Sequence, residues 1–407
     1  MRSSARGAGT SCSTKMKNQP SLDVQEIKRI VGSLKEDLLV LLDELVAINS
    51  YSHNTEGVAQ MAEAVGGALP FPLELQRVTK PEKETLWTCR YGPSKKNPIL
   101  MVGHLDTVFP PSTFDSGMIA QDPYLSGPGV ADMKGGLAVI LGALWALERL
   151  KVLPKIPLLL ALNGDEEIGS PNSGHKLEEL ARSCRLGFVF ECGGPDGSVV
   201  TSRRGLRRYL LKIKGKAGHA GNIQTAKQSA VVELAQQILK LEGLNDVEAG
   251  LSVNVGWVKG GTATNIIPAE AEAELEVRFL SQEQGDEFEE RIQKLANSSQ
   301  EFGLKTNFVR GQARPPMEHT PGTAQLFLKV AQVAARNQII LSEEARWGAS
   351  DANFLAAVGL PTIDGLGPVG EMDHSQDERI VKNSLFQRVE LLVHLLWDLR
   401  DWASEQP

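Results

Sequence analysis

Residues 98–106 read Pro-Ile-Leu-Met-Val-Gly-His-Leu-Asp, an apolar run of strand length that closes on Gly103-His104-Leu105-Asp106. That is the pattern of a buried strand delivering polar groups at its C-terminal end. Side chains two apart on a strand share a face, so His104 and Asp106 project together. Imidazole is the commonest metal ligand among side chains, and a neighbouring carboxylate holds such a ring in one orientation. A hydrogen-bonded pair at a strand end satisfies so short a motif equally well. It gains meaning from the polar clusters that follow.

Helical spacing of Val24, Ile27, Ile30, Val31, Leu34, Leu38, Leu41, Leu42 and Leu45 predicts a helix over 21–48, with Ser21 or Asp23 at its start. A second helix is expected over 56–69, and alternating strands over 73–78 and 85–91. After the His104 strand, 110–129 reads as loop. A helix over 134–150, a buried strand over 156–162, a short helix over 172–183 and a buried strand over 186–191 follow. Strands alternating with helices define a doubly wound, mostly parallel α/β sheet. The pattern then changes to strand 208–214, helix 225–242, strands 252–259 and 270–279, helix 282–298 and strand 306–310, which is βαββαβ. From residue 316 the first pattern resumes, with helices over 324–338, 351–358 and 382–402 and a strand over 362–365. The expected organisation is a disordered leader over 1–21, with Met16 a plausible start, then an α/β domain over 22–205 and 316–407, interrupted by an inserted ferredoxin-like domain over 206–315.

A chain of 407 residues is long enough for two domains. Its 42% hydrophobic and 23% charged residues are those of an ordinary globular protein. The net charge of −7 argues against nucleic acid or an anionic membrane as partner, and no apolar run reads as a bilayer span. Cys12, Cys89, Cys184 and Cys192 show no paired spacing and fit a reducing, cytoplasmic setting. Cys192 reads as a small buried hydrophobe.

The chemistry gathers at strand ends and the loops after them, where open α/β sheets place their sites. His104 and Asp106 close one strand, Glu166 and Glu167 the next, and Glu191 the third. Asp132 opens a helix in a glycine-rich turn, and His374 lies in a Gly- and Pro-rich loop before the last helix. A thiolate-free N/O donor set suits zinc, cobalt or manganese. Three such ligands serve one catalytic zinc; five suffice for two metals sharing a carboxylate. Glu-Glu pairs are usually solvated, but this one directly follows the apolar run 158–162. Neighbouring strand-end residues point to opposite sides, so one of the two glutamates binds while the other faces the metal-activated water as a proton acceptor. His394 lies in an apolar run and reads as a satisfied core or interface residue. His53, His175 and His319 read as exposed.

Taken in order, Gly103-His104-Leu105-Asp106-Thr107-Val108, Gly129-Val130-Ala131-Asp132-Met133-Lys134-Gly135-Gly136, Asp165-Glu166-Glu167-Ile168-Gly169-Ser170, Gly215-Lys216-Ala217-Gly218-His219-Ala220-Gly221, Asn265-Ile266-Ile267-Pro268, Glu276-Val277-Arg278, Gly348-Ala349-Ser350-Asp351 and His374-Ser375 resemble the aminoacylase and glutamate carboxypeptidase family of dinuclear zinc hydrolases. The resemblance implies two zinc ions, His104 and Glu191 on one, Glu167 and His374 on the other, with Asp132 bridging. It implies that Asp106 orients His104 and that Glu166 is the general base. The inserted domain becomes a lid and homodimerisation domain, and His219 reaches across the dimer to stabilise the oxyanion. Asn265, Arg278 and Arg314 become anchors for a substrate carboxylate, a role suited to the planar guanidinium fork. The run Arg203-Arg204-Gly205-Leu206-Arg207-Arg208 departs from the family pattern and reads mostly as solvated surface.

The expected activity is zinc-dependent cleavage of an amide bond beside a free carboxylate in a small N-acyl amino acid or short peptide, with release of the C-terminal amino acid. Glu191 rather than Asp at its ligand position favours the glutamate carboxypeptidase branch. The alternatives are an N-acyl amino acid deacylase or desuccinylase and a non-catalytic metal-binding homologue. The absence of a Gly-x-Ser-x-Gly elbow argues against a serine hydrolase.

Overall fold

In the computed structural model, a six-stranded sheet runs in the order 76–77, 86–91, 158–163, 99–104, 186–189, 362–363. The structure describes residues 21–402 apart from 71, 79–84, 115–116, 223–226 and 301–302, so the leader lies outside the described residues. Ile99–His104 sits between Leu158–Asn163 and Leu186–Val189, parallel to both, and Thr362–Ile363 extends the parallel set. Leu86–Tyr91 and Gln76–Arg77 add two antiparallel strands at one edge. The three central strands are buried along their whole length, as unbroken apolar runs require when helices cover both faces. Because these strands are parallel and in register, with His104 opposite Asn163, their polar C-terminal extensions emerge at one edge.

Asp23 caps the first helix, Val24–Ala47, by accepting the Gln25 N–H at 2.9 Å. That helix, Gly135–Arg149 and Lys382–Asp398 pack around Leu38, Leu141, Leu144 and Val389. The segment Val130–Arg149 is long and apolar enough by composition to cross a bilayer, but it is almost wholly buried within this core. At its start Gly136 has no room for a side chain. A Cβ there would meet the Phe190 carbonyl oxygen at 2.0 Å, so glycine lets the helix press against the strand end that carries Glu191.

The 110–129 segment is not all loop. Ile119–Gln121 and Tyr124–Ser126 form a hairpin that joins Arg379–Val381 and Gly370–Glu371 in a four-stranded antiparallel sheet. Strands of two or three residues are too short to display a two-residue period, which is why sequence reading passes over them. Val199–Arg203 and Glu343–Arg346, a further parallel pair, escape sequence reading for another reason: the first is buried along nearly its whole length and the second is mostly charged, so neither alternates apolar with polar residues.

The inserted segment forms a separate four-stranded antiparallel sheet ordered 252–260, 270–279, 205–214, 305–314, with helices Ala230–Glu242 and Gln282–Gln300. Its core of Leu211, Ile213, Leu234, Phe279, Phe288 and Ile292 is distinct from the main one. Two strands run longer than expected. Gly205–Lys214 begins inside the basic run, and Lys305–Arg314 continues through a register shift to Arg314, which pairs with Leu206. The basic run is therefore not solvated. Arg203, Arg204 and Arg207 are buried, and only Arg208 is exposed. Arg203 binds Asp364 at 2.7 Å, Arg204 stacks over the Trp347 ring, and Arg207 binds Asp286 at 2.6 Å and Glu289 at 3.1 Å. Carboxylates distant in sequence neutralise Arg203 and Arg207, a compensation that a local charge count cannot reveal.

Candidate metal centre

His104, the last residue of the central strand, is buried. Its Nε2 lies 2.9 Å from Asp132 Oδ1 and 3.6 Å from Glu191 Oε1. His374 Nε2 lies 3.2 Å from Asp132 Oδ2 and 3.2 Å from Glu167 Oε2. Asp132 thus stands between two imidazoles, each of which also meets one glutamate. This pairing is the one the sequence motifs imply. The five side chains arrive from four strand ends or turns and one hairpin loop.

The Asp106 carboxylate does more than face His104. Its Oδ1 is 3.5 Å from His104 Nδ1, while the ring nitrogen lies closer, at 3.0 Å, to the Asp106 backbone carbonyl. The carboxylate accepts Ser52 Oγ–H at 2.7 Å and the backbone N–H groups of Glu166 and Glu167, each at 3.2 Å. It therefore fixes the turn that aims the two glutamates. Glu166 accepts Arg314 Nη1–H at 2.6 Å on Oε1, and Arg314 Nη2 donates to the Glu166 carbonyl at 2.6 Å. Arg314, expected as a substrate anchor in a loop, is a buried strand residue whose fork grips Glu166. The register shift before it turns its side chain toward the strand-end cluster.

The electrostatics are those of crowded charge. Burial, then the Asp132 charge, pushes Glu167 up to about 9 and Glu191 up to about 8. Burial acts against the ionised form of Asp132 too, but His104 and His374 outweigh it and hold that carboxyl far below the usual range. Hydrogen bonds to Asp132 and Glu167 raise His374 to about 11. Burial opposes the charge on His104, yet Glu191, Asp106 and Asp132 lift it well above its ordinary value. Burial first, then the Asp132, Glu191 and Asp373 charges, push Cys192 on the cavity wall up to about 12 against the opposing Arg346 guanidinium; the residue is half-buried rather than the fully buried small hydrophobe expected.

Two observations test whether a cation fits. Glu167 Oε1 is buried without a hydrogen-bond partner, an uncompensated acceptor aimed into the cluster. Ligand atoms of His104, Asp132 and Glu191 also lie within 4.8 Å of one another, as do those of Asp132, Asp373 and His374. The donor set, imidazole and carboxylate without thiolate, is that of zinc, cobalt or manganese. A cavity of about 510 Å³ opens over these residues and is walled on its other side by Arg203, Arg346, Trp347 and Ser350.

The remaining candidates lie apart. His219 is exposed on a two-stranded ribbon with 266–267, next to Asn265, whose carbonyl accepts the Ala220 N–H at 2.9 Å. Arg278 is tied to Glu276 at 2.7 Å and donates to the Trp347 carbonyl at 2.9 Å. None of the three is among the described residues that line the cavity. His394 is buried as expected, but its Nε2 has no partner and burial lowers it to about 4. His53, His175 and His319 are exposed.

Sequence reasoning missed Ser52, Asp373 and Glu378. Asp373 precedes His374 directly. Glu378 follows it by four residues and accepts backbone N–H groups of the Asp132 turn. The closeness of Asp373 and Glu378 to His374 in the chain is the one local signal for them, and Ser52 has none.

Residues 100–398 match the sequence profile of Peptidase family M20/M25/M40. Carboxypeptidase G2 of Pseudomonas sp. (strain RS-16) is 30% identical over 319 residues, which cover 76% of this chain and 75% of that protein. The fold is shared with aminopeptidase PepT of Bacillus cereus, at TM-score 0.71 and 22% identity over 89% of this chain and 98% of that one. It is also shared with a dinuclear metal-binding M20 peptidase of Bacillus subtilis, at TM-score 0.65 and 16% identity over 90% and 99%. The chain belongs to Peptidase family M20/M25/M40, in its glutamate carboxypeptidase-like part. It is an enzyme of the metallopeptidase and amidohydrolase class.

Proposed function

We propose that this enzyme cleaves an amide or peptide bond beside a free carboxylate and releases a C-terminal amino acid, using two Zn²⁺ per chain. The convergence of Asp132, Glu167, Glu191 and His374 on one cavity, with Glu166 beside them and His104 buried behind Asp132 and Glu191, carries the reading. His104 and Glu191 would hold one ion, Glu167 and His374 the other, and Asp132 both; Co²⁺ or Mn²⁺ suits the same donors. Such a pair, when bound, polarises the scissile carbonyl and makes water acidic enough to ionise near neutral pH. Glu166 takes the proton of the attacking water on its carboxylate and returns it to the amine as the C–N bond breaks. Arg314 holds Glu166 in place for both transfers, and Asp106 sets the turn beneath it. The substrate carboxylate is assigned to Asn265 and Arg278, because Arg314 is buried against Glu166 whereas Arg278 lies on a partly exposed strand of the inserted unit. The inserted domain serves as lid and dimer contact, and His219 completes the site of a second copy.

The test is amino acid release from a panel of N-acyl amino acids and short peptides, before and after chelation and with zinc restored. Zinc-dependent release is expected, strongest where the leaving residue is a C-terminal glutamate. A best substrate with an N-succinyl group would move the enzyme to the desuccinylases. No release from protein holding two metals per chain would overturn the proposal.

The dimer role has its own test. His219→Ala alone and Glu166→Ala alone should each be inactive. Mixed and re-equilibrated, they should regain up to roughly a quarter of wild-type activity, because a hybrid dimer contains one site with both residues intact. No rescue in a mixture shown to contain hybrid dimers would exclude the cross-subunit role.

A further inference from the structure

We infer that Glu378 is the positioning residue of the metal centre: its buried carboxylate sets the turn carrying Asp132 and thereby ties to that turn the end of the loop presenting His374. The inference rests on the proposal that these two residues bind metal.

The turn Val130–Lys134 is a wide five-residue turn. It is entered through Gly129 in the left-handed region at φ 73°, and Asp132 itself departs from helical geometry at φ −122°, ψ 90°. Its N–H groups have few partners of their own. Glu378, wholly buried, accepts three donors: Gly129 N–H at 2.9 Å on Oε2, and Ala131 N–H at 2.7 Å and Asp132 N–H at 2.9 Å on Oε1. The Glu378 carbonyl also accepts Gly127 N–H at 3.3 Å. Removing the carboxylate leaves three donors in the interior without an acceptor.

The same residue closes the His374 loop. Gly370–Glu371 and Arg379–Val381 pair antiparallel, so residues 372–378 form the tip of a hairpin. Met372 at φ 62° and His374 at φ 60° both lie in a region that side-chain-bearing residues rarely adopt. Local bonds hold them there: Ser375 N–H and Oγ–H donate to the Met372 carbonyl at 3.2 and 2.7 Å, and Glu378 N–H to the Ser375 carbonyl at 3.3 Å. Glu378 is thus the last link of the loop and the floor of the turn. The two ligating side chains it spaces, Asp132 and His374, meet at 3.2 Å. Metal sites tolerate ligand displacements of only about 0.5 Å, so a slack clamp spoils both metal positions together through Asp132.

Glutamine is the discriminating substitution. It has the shape of glutamate, but one terminal oxygen becomes an NH₂ that accepts nothing. Either Gly129 N–H, or Ala131 and Asp132 N–H, must then face a donor. The experiment measures Zn²⁺ affinity by competition with a chelator, and the visible spectrum of the Co²⁺-loaded protein, for wild type, Glu378→Gln and Val333→Ala. Val333, buried in the core of helix Pro321–Arg336, serves as a purely structural lesion.

Expected are a folded Glu378→Gln protein with zinc affinity lowered about 10- to 100-fold and altered Co²⁺ bands, and a Val333→Ala protein that melts earlier but binds as wild type. Wild-type affinity and bands in Glu378→Gln overturn the inference, as does an equal affinity loss in Val333→Ala. Should the glutamine variant not fold, Glu378→Asp keeps two accepting oxygens but retracts them by one methylene, and wild-type zinc affinity there overturns it. A wild-type protein that binds no zinc overturns the metal reading, and this one with it.

Discussion

Glu166→Gln is expected to lower kcat by about 10³- to 10⁴-fold while leaving metal content close to wild type and lowering the melting temperature less than alanine does. Glutamine retains an oxygen that accepts Arg314 Nη1–H, so the buried guanidinium keeps its partner. It has no carboxylate to take a proton from water. Glu166→Ala should lose as much turnover and also fold less stably. Both variants remove the charge that faces the buried Arg314 guanidinium, but alanine also removes its hydrogen-bond acceptor, and breaking a buried pair in this way costs about 3–5 kcal/mol. The difference between the two variants separates the chemical role of Glu166 from its structural one. Turnover of Glu166→Gln within tenfold of wild type would remove Glu166 from the base position, whatever the alanine variant did. Steady-state kinetics, metal analysis and thermal melts on both proteins provide the readout.

Asp132→Ala is expected to abolish activity by a different route, emptying both metal positions at once. Among the described residues Asp132 alone touches both imidazoles, at 2.9 and 3.2 Å on separate oxygens. Glu167 meets only His374 and Glu191 only His104, so Glu167→Ala or Glu191→Ala should weaken one position and spare the other. After dialysis against micromolar zinc, the expected metal content is about two per chain for wild type, about one for either glutamate variant and none for Asp132→Ala, as a shared ligand requires. Asp132→Ala retaining two metals would show that the aspartate does not bridge. Loss of a single metal would assign it to one position. The fold should survive in all three, because none of these carboxylates packs in the apolar core.

How much of this was legible beforehand depended on distance along the chain. The central strands announced themselves because burial on both faces demands unbroken apolar runs, and Gly-His-Leu-Asp and Asp-Glu-Glu are welded to the ends of two such runs. The inserted domain was legible because strands of nine or ten residues display their alternation, as Glu270–Phe279 does. The hairpin strands 119–121 and 124–126 were not, being too short to show any period.

The alternating α/β order, the inserted βαββαβ unit and the residue types able to hold a cation are each written in a local pattern, and so can be read from the chain alone. Only the tertiary structure decided who partners whom. Arg314 reaches Glu166 across 148 positions, Glu378 reaches the Asp132 turn across nearly 250, and Arg203 finds Asp364 across 161. Such contacts are set by strand register and by the need to compensate every buried charge and N–H. No local pattern records them, because each partner taken alone looks like an ordinary surface residue.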